Sequence, residues 1–141
     1  MRRSLTLLLI WLSSASAIAA NGVFLEVSPR NRADLDRLFT TLEESLTQDL
    51  PADDPVVIIL HGEEAHSFTR ENFQDNRRLI DRAALLDAYQ LIDMRMCETW
   101  MKENDIMKSD IPAFIDTVPF APEEIERLEA EGYVRYDSVR L

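Results

Sequence analysis

Apolar residues along this chain come in two patterns: short unbroken runs, and longer stretches in which they recur every three or four positions. The first fits strands buried in a sheet, the second helices with one inward face. GVFLEV at Gly22–Val27 is rich in β-formers and reads as a first strand, ended by Ser28, Pro29 and Arg30. Asn31 followed by Asp34 resembles a helix start, since an Asn side chain accepts first-turn amides and an acid suits the positive end. Leu35, Leu38, Phe39, Leu42 and Leu46 then keep helical spacing, the helix should stop before Pro51, and 48–55 reads as an acidic, proline-bounded loop. VVIIL at Val56–Leu60 is five apolar residues in a row, four of them β-branched, which fits a strand buried on both faces. His61 and Gly62 end it.

The polar stretch 63–76 reads as loop, part helix, or both, and Leu79, Ile80, Ala83, Ala84 and Leu86 support a helix over 76–88. At 91–96 the period changes to two: Ile92, Met94 and Met96 share one face, Asp93 and Arg95 the other. Such charge is unusual for a central strand, so either Asp93 and Arg95 pair across that face or the face meets another subunit. A short helix at Glu98–Glu103, a strand at 114–118, a helix opened by Pro122 and closed by Gly132, and a strand at 133–136 complete the chain. Strands alternating with helices predict an α/β fold of three layers, α/β/α, around a mostly parallel five-stranded sheet.

The first twenty residues stand apart. Arg2 and Arg3 are followed by a run at 5–12 that is apolar except for Thr6, and then by Ala17, Ile18 and Ala19. This is the grammar of a cleaved secretory signal peptide, leaving 21–141 as one α/β domain and implying a periplasmic location. The apolar core falls short of the roughly 20 residues a membrane span requires. Cleavage would remove two arginines and no acids from a chain that already has 15 basic and 26 acidic residues. Charge of that sign repels nucleic-acid phosphates and anionic lipid heads, so neither nucleic acid nor membrane is an expected partner after cleavage.

Cys97 is the single cysteine, so an exported chain must keep it as a free thiol, pair it with another chain, or load it with an adduct. It lies where the third strand meets the short helix, and the loop after the second strand carries His61 and His66. In an open parallel sheet, reactive groups gather beyond the carboxyl ends of strands, so His61 or His66 could approach Cys97 there and assist it. The start of the helix at Glu98–Glu103 favours an anion, while Glu98 opposes one. A buried inert cysteine is the competing reading. His61, Glu63, Glu64 and His66 do not match zinc-hydrolase spacing, so no metal is expected, and Glu63 and Glu64 read as surface charge or a local cap. With three glycines the chain has no phosphate-cradling loop and no G-x-S-x-G elbow, and no cofactor is expected. Trp100, Phe114, Phe120, Tyr133 and Tyr136 read as core or subunit contacts.

VVIILHG, the strand leading into Cys97, the following ETWMKENDI and the tail DIPAFIDTVPFAPEEIERLEAEGYVRY together resemble proteins of the DsrE/DsrF family over residues 56–136. The resemblance implies a compact α/β/α fold, frequent homo- or hetero-oligomers, and in some members a persulfide on the cysteine matching Cys97. Its partners would be a sulfur donor or acceptor, either a protein or a small sulfur compound, and further copies of itself. Two readings remain open: a periplasmic sulfur carrier or sulfurtransferase, and a non-catalytic oligomeric binding or scaffold module of the same fold.

Overall fold

The computed structural model describes residues 21–27, 32–47 and 54–135, with the backbone alone for 32–34 and 45–47. The signal peptide expected at 1–20, the Asn31 cap, most of the 48–55 loop and Tyr136 lie outside these residues. Five strands, β1 (Gly22–Val27), β2 (Val56–Leu60), β3 (Ile92–Cys97), β4 (Asp116–Val118) and β5 (Tyr133–Arg135), form one sheet in the order β4-β3-β2-β1-β5. Every pairing is parallel. Helices α1 (Arg32–Thr47), α2 (Arg77–Ala88), α3 (Glu98–Glu103) and α4 (Ala121–Ala130) complete a three-layer α/β/α fold.

Strand order explains the layers. From β1 to β4 the chain steps the same way across the sheet, and right-handed crossovers place those connections on one face. There α1 and α2 pack on one another. From β4 the chain returns across the whole sheet to β5, so α4 lies on the opposite face, where Glu124 pairs with Arg95 of β3. Register assigns the sheet faces: Leu25, Ile58 and Met94 align on the α1/α2 side, and Phe24, Val57 and Asp93 on the α4 side. Phe24, Leu35, Phe39, Ile58, Ile59, Leu60, Met94 and Met96 are fully buried between the layers.

The starts of β3 and β4 differ from the sequence pattern, each for a local reason. Gln90 takes a left-handed conformation, φ +58, and lets Leu91 N donate to Leu86 O at 2.9 Å. Leu91 therefore closes α2 instead of opening β3, a C-terminal stop made without glycine. Residues 112–115 form a turn in which Ile115 N donates to Pro112 O at 3.1 Å, so β4 begins at Asp116 rather than at Phe114. The stretch after β2 folds as two 3-10 turns, Glu63–Phe68 and Arg70–Asn72, with Ala65 and Phe68 inserted into the core. At the other end Gly132, φ +86, stops α4 as expected and donates to Glu129 O.

Candidate functional site

Adjacent strands whose connections leave on opposite faces open a crevice at their carboxyl ends. Here that point lies between β3 and β4, where Cys97 is in register with Val118. Cys97 serves as the N-cap residue of α3, yet its side chain makes no bond to that helix. The sulfur instead accepts the backbone N–H of Ala121, the first residue of α4, at 3.4 Å. The helix that favours an anion at this sulfur is thus α4, ten residues long, rather than the short α3. Thr99 Oγ1 donates to Pro119 O at 3.0 Å and fastens the two loops on either side of the sulfur.

Cys97 is only 3% exposed. Covering it is Ala121, itself fully buried, at the start of a helix whose Glu124 pairs with Arg95, two residues before the cysteine on the same sheet face. Arg95 is also paired with Asp93, so the two charged residues of β3 do meet across the face, with Glu124 as a third member. Burial works against the Arg95 charge, but its bonds to Asp93 and Glu124 outweigh that and raise its pKa. The Glu124 carboxyl is held below its ordinary value by Arg127 above all, against the opposing effect of burial, with Arg95 adding to the lowering. Glu98, expected to place a charge beside the sulfur, has its carboxylate engaged by Thr117 Oγ1 at 3.0 Å and by Lys102 at 3.7 Å.

The histidines have other partners. His61 Nε2 lies 2.9 Å from Glu26 Oε1 at the end of β1, and Glu26 is also bonded by Arg135. His66 packs edge-on against Trp100 of α3, ring centroids 4.8 Å apart. Among the described residues neither imidazole bonds to the Cys97 sulfur, and no group of three or more His, Cys, Asp or Glu could hold a metal ion. An open cleft of about 380 Å³ lined by Glu98, Met101, Lys102, Ile106, Lys108 and Thr117 lies beside the cysteine's neighbour. Its cations are engaged, Lys102 with Glu98 and Lys108 with the Ile115 carbonyl at 2.5 Å.

The acidic pair splits between the two roles expected of it. Glu63 is exposed as expected of surface charge, but Glu64 is 93% buried, and its Oε1 accepts the amides of His61 at 3.2 Å and Gly62 at 2.9 Å. It is the local cap of the two alternatives, and it fixes the backbone that carries His61. Its Oε2 is buried with no hydrogen-bond partner. A Cβ on residue 62 would come within 2.6 Å of that oxygen, so any side chain there would push the Glu64 carboxylate aside.

No family model and no curated protein matches this chain. Its fold is similar to the solved structure of a protein of unknown function from Methanobacterium thermoautotrophicum. The TM-score is 0.57 at 15% identity, and the match covers 81% of this chain and 96% of that one. At that identity the likeness establishes the fold alone. No helix among the described residues is long and apolar enough to cross a membrane.

Proposed function

We propose that this chain is an exported, periplasmic sulfur carrier or sulfurtransferase of the DsrE/DsrF kind, working as an oligomer and using a persulfide on Cys97. The observation that carries the reading is the seat of the sulfur: the carboxyl end of β3, at the topological switch point, with the first amide of α4 aimed at it from 3.4 Å. That amide and the helix behind it stabilise a thiolate or a persulfide anion. With thiosulfate as donor, the Cys97 thiolate attacks the sulfane sulfur. A new S–S bond forms, the old S–S bond breaks, and sulfite leaves with its electron pair. An acceptor thiolate then attacks the outer sulfur and releases Cys97 as thiolate, so no outside oxidant or reductant is consumed. His61, oriented by Glu26, and His66 remain candidates to move protons to or from donor and acceptor.

Incubating the signal-free chain with polysulfide or thiosulfate tests the reading by intact mass. The expected result is the gain of one sulfur atom, reversed by reductant and absent in Cys97→Ser. No adduct with any donor rejects it. The low exposure of Cys97 favours the second reading, a non-catalytic oligomeric module of the same fold. That reading requires Cys97→Ser to leave partner binding unchanged and the native thiol to resist alkylation.

A further inference from the structure

We propose that α4 is a latch that opens locally to uncover Cys97, fastened by the Arg95–Glu124 pair. The inference rests on the sulfur-carrier reading for its purpose, but the motion stands on separate observations. The first is how α4 is held. It connects β4 and β5, the outermost strands at opposite edges of the sheet, each three residues long and each paired on one side. It places three buried side chains, Ala121, Ile125 and Leu128, in the core. Elements with few buried apolar contacts open at far lower cost than the whole fold.

The second observation is the charge arrangement at the fastening. Arg95 and Glu124 are 19% and 12% exposed, and separating a buried pair normally strands two charges. Here neither is stranded. On opening, Arg95 keeps Asp93 on its own strand, and Glu124 keeps Arg127 on its own helix. Each ion has a second partner that travels with it, so the bond between layers can break without leaving an orphan, and the Thr99–Pro119 bond that must open with it is exposed, where water can replace it. The third is the sulfur itself, closed over by Ala121 at the first turn of the same helix. With Cys97 3% exposed, a sulfur donor reaches the thiolate only if that turn lifts.

The test is alkylation of Cys97 in the folded full-length chain by iodoacetamide, followed at urea concentrations below the unfolding transition. A local latch gives a labelling rate with a urea dependence well under half that of global unfolding, because little surface is exposed. Glu124→Gln should speed labelling at least tenfold at zero urea, whereas Glu123→Gln, an exposed first-turn control, should leave it unchanged. Labelling with the full urea dependence of global unfolding overturns the latch, as does labelling of the wild type at the rate of unfolded chain. Should Glu124→Gln fail to fold, the urea dependence of the wild type decides alone. Local labelling without any sulfur adduct would keep the latch and remove the carrier, while an adduct on a thiol that labels only by global unfolding would do the reverse.

Discussion

The two faces of the sheet are built around an arginine each, and the arginines do different work. On the α1/α2 face, Arg82 donates to both carboxylate oxygens of Glu43, at 2.7 and 3.0 Å, and to Asp36 at 3.1 Å. Its guanidinium lies 5.6 Å from the Phe39 ring centroid. It joins two helices to each other above the apolar side chains of Leu25, Ile58 and Met94. On the other face Arg95 lies within the sheet layer and joins one strand to one helix. The first arrangement adds a clamp to helices already held by burial. The second adds a charged fastening to a helix whose apolar hold is Ala121, Ile125 and Leu128. One sheet thereby carries a permanent wall and a movable one.

The largest effect that could break this contrast comes from truncating the apolar layer. Phe39, fully buried under α1, should cost about 3–5 kcal/mol as Phe39→Ala, read as a shift of the urea midpoint. Leu128, 1% exposed under α4, should cost about 2–3 kcal/mol as Leu128→Ala. The discriminating measurement is thiol labelling. Leu128→Ala should accelerate it at zero urea by more than Phe39→Ala does, despite the smaller midpoint shift. Equal acceleration per unit of lost stability would show that both faces unfold together.

The permanent wall is the part that was legible in the sequence. GVFLEV and VVIIL begin and end as strands where the pattern places them, because short apolar runs rich in β-formers and bounded by breaking residues suit strands of a sheet covered on both faces. Alternation in IDMRMC marked Asp93 and Arg95 as charges in need of a partner. Their third partner was not legible, since Glu124 lies 29 residues downstream and looks like any acid in a first helical turn. The donor to Cys97 was hidden more deeply. A backbone amide has no sequence signature, and the amide of Ala121 reaches the sulfur only because β4 is the last strand before the chain reverses across the sheet. Glu63 and Glu64 were half legible: the pair reads as surface charge or a local cap, and only the 3-10 turn decides which acid stays outside and which folds back onto the amides before it.

Exchanging the arginines for an uncharged chain of similar length sharpens the contrast at the next scale. Arg95→Met leaves Asp93 without its cation and Glu124 without its link to the sheet, and should cost about 2 kcal/mol, in the range of charge-assisted bonds that are part-buried. Arg82→Met leaves its more exposed carboxylate partners in contact with water and should cost about 1 kcal/mol. Only the first should raise the Cys97 labelling rate out of proportion.

Acid should loosen the two walls unequally. Because the folded Glu124 pKa is depressed, chiefly by Arg127 and also by Arg95 against burial, its contribution is present above the ordinary glutamate value of about 4.3 and is lost as pH falls through the lower folded value; the Arg95 share is the part that bears on opening, since Arg127 moves with Glu124. Asp93 on Arg95 and Glu131 on Arg127 are the other carboxylates facing these cations. Labelling of Cys97 by a reagent that is insensitive to thiol ionisation should therefore rise, relative to Glu124→Gln, as pH drops below about 4. A pH profile identical in wild type and Glu124→Gln would remove Glu124 from the fastening.

The smallest expected effect lies where the two faces meet. Asp87, in the last turn of α2, has its pKa raised by burial, then by Asp93 and Asp116, which belong to the α4 face of the sheet. It also sits at the negative end of its own helix, which has no basic residue in that turn to offset it. The sign follows from the raised value. The folded state prefers the protonated carboxyl, so its contribution is fully present below the ordinary aspartate pKa of about 3.9 and is lost as pH rises through the folded value. Asp87→Asn removes that loss. It should stabilise the protein at pH 7 by up to about 0.5 kcal/mol, read from the urea midpoint, with the gain vanishing below about pH 3.9. Adding Asp93→Asn should shrink the gain, since part of the repulsion has already gone. A gain that is unchanged in that double variant would mean the repulsion does not cross the sheet, and the two walls would then be electrostatically independent as well as mechanically distinct.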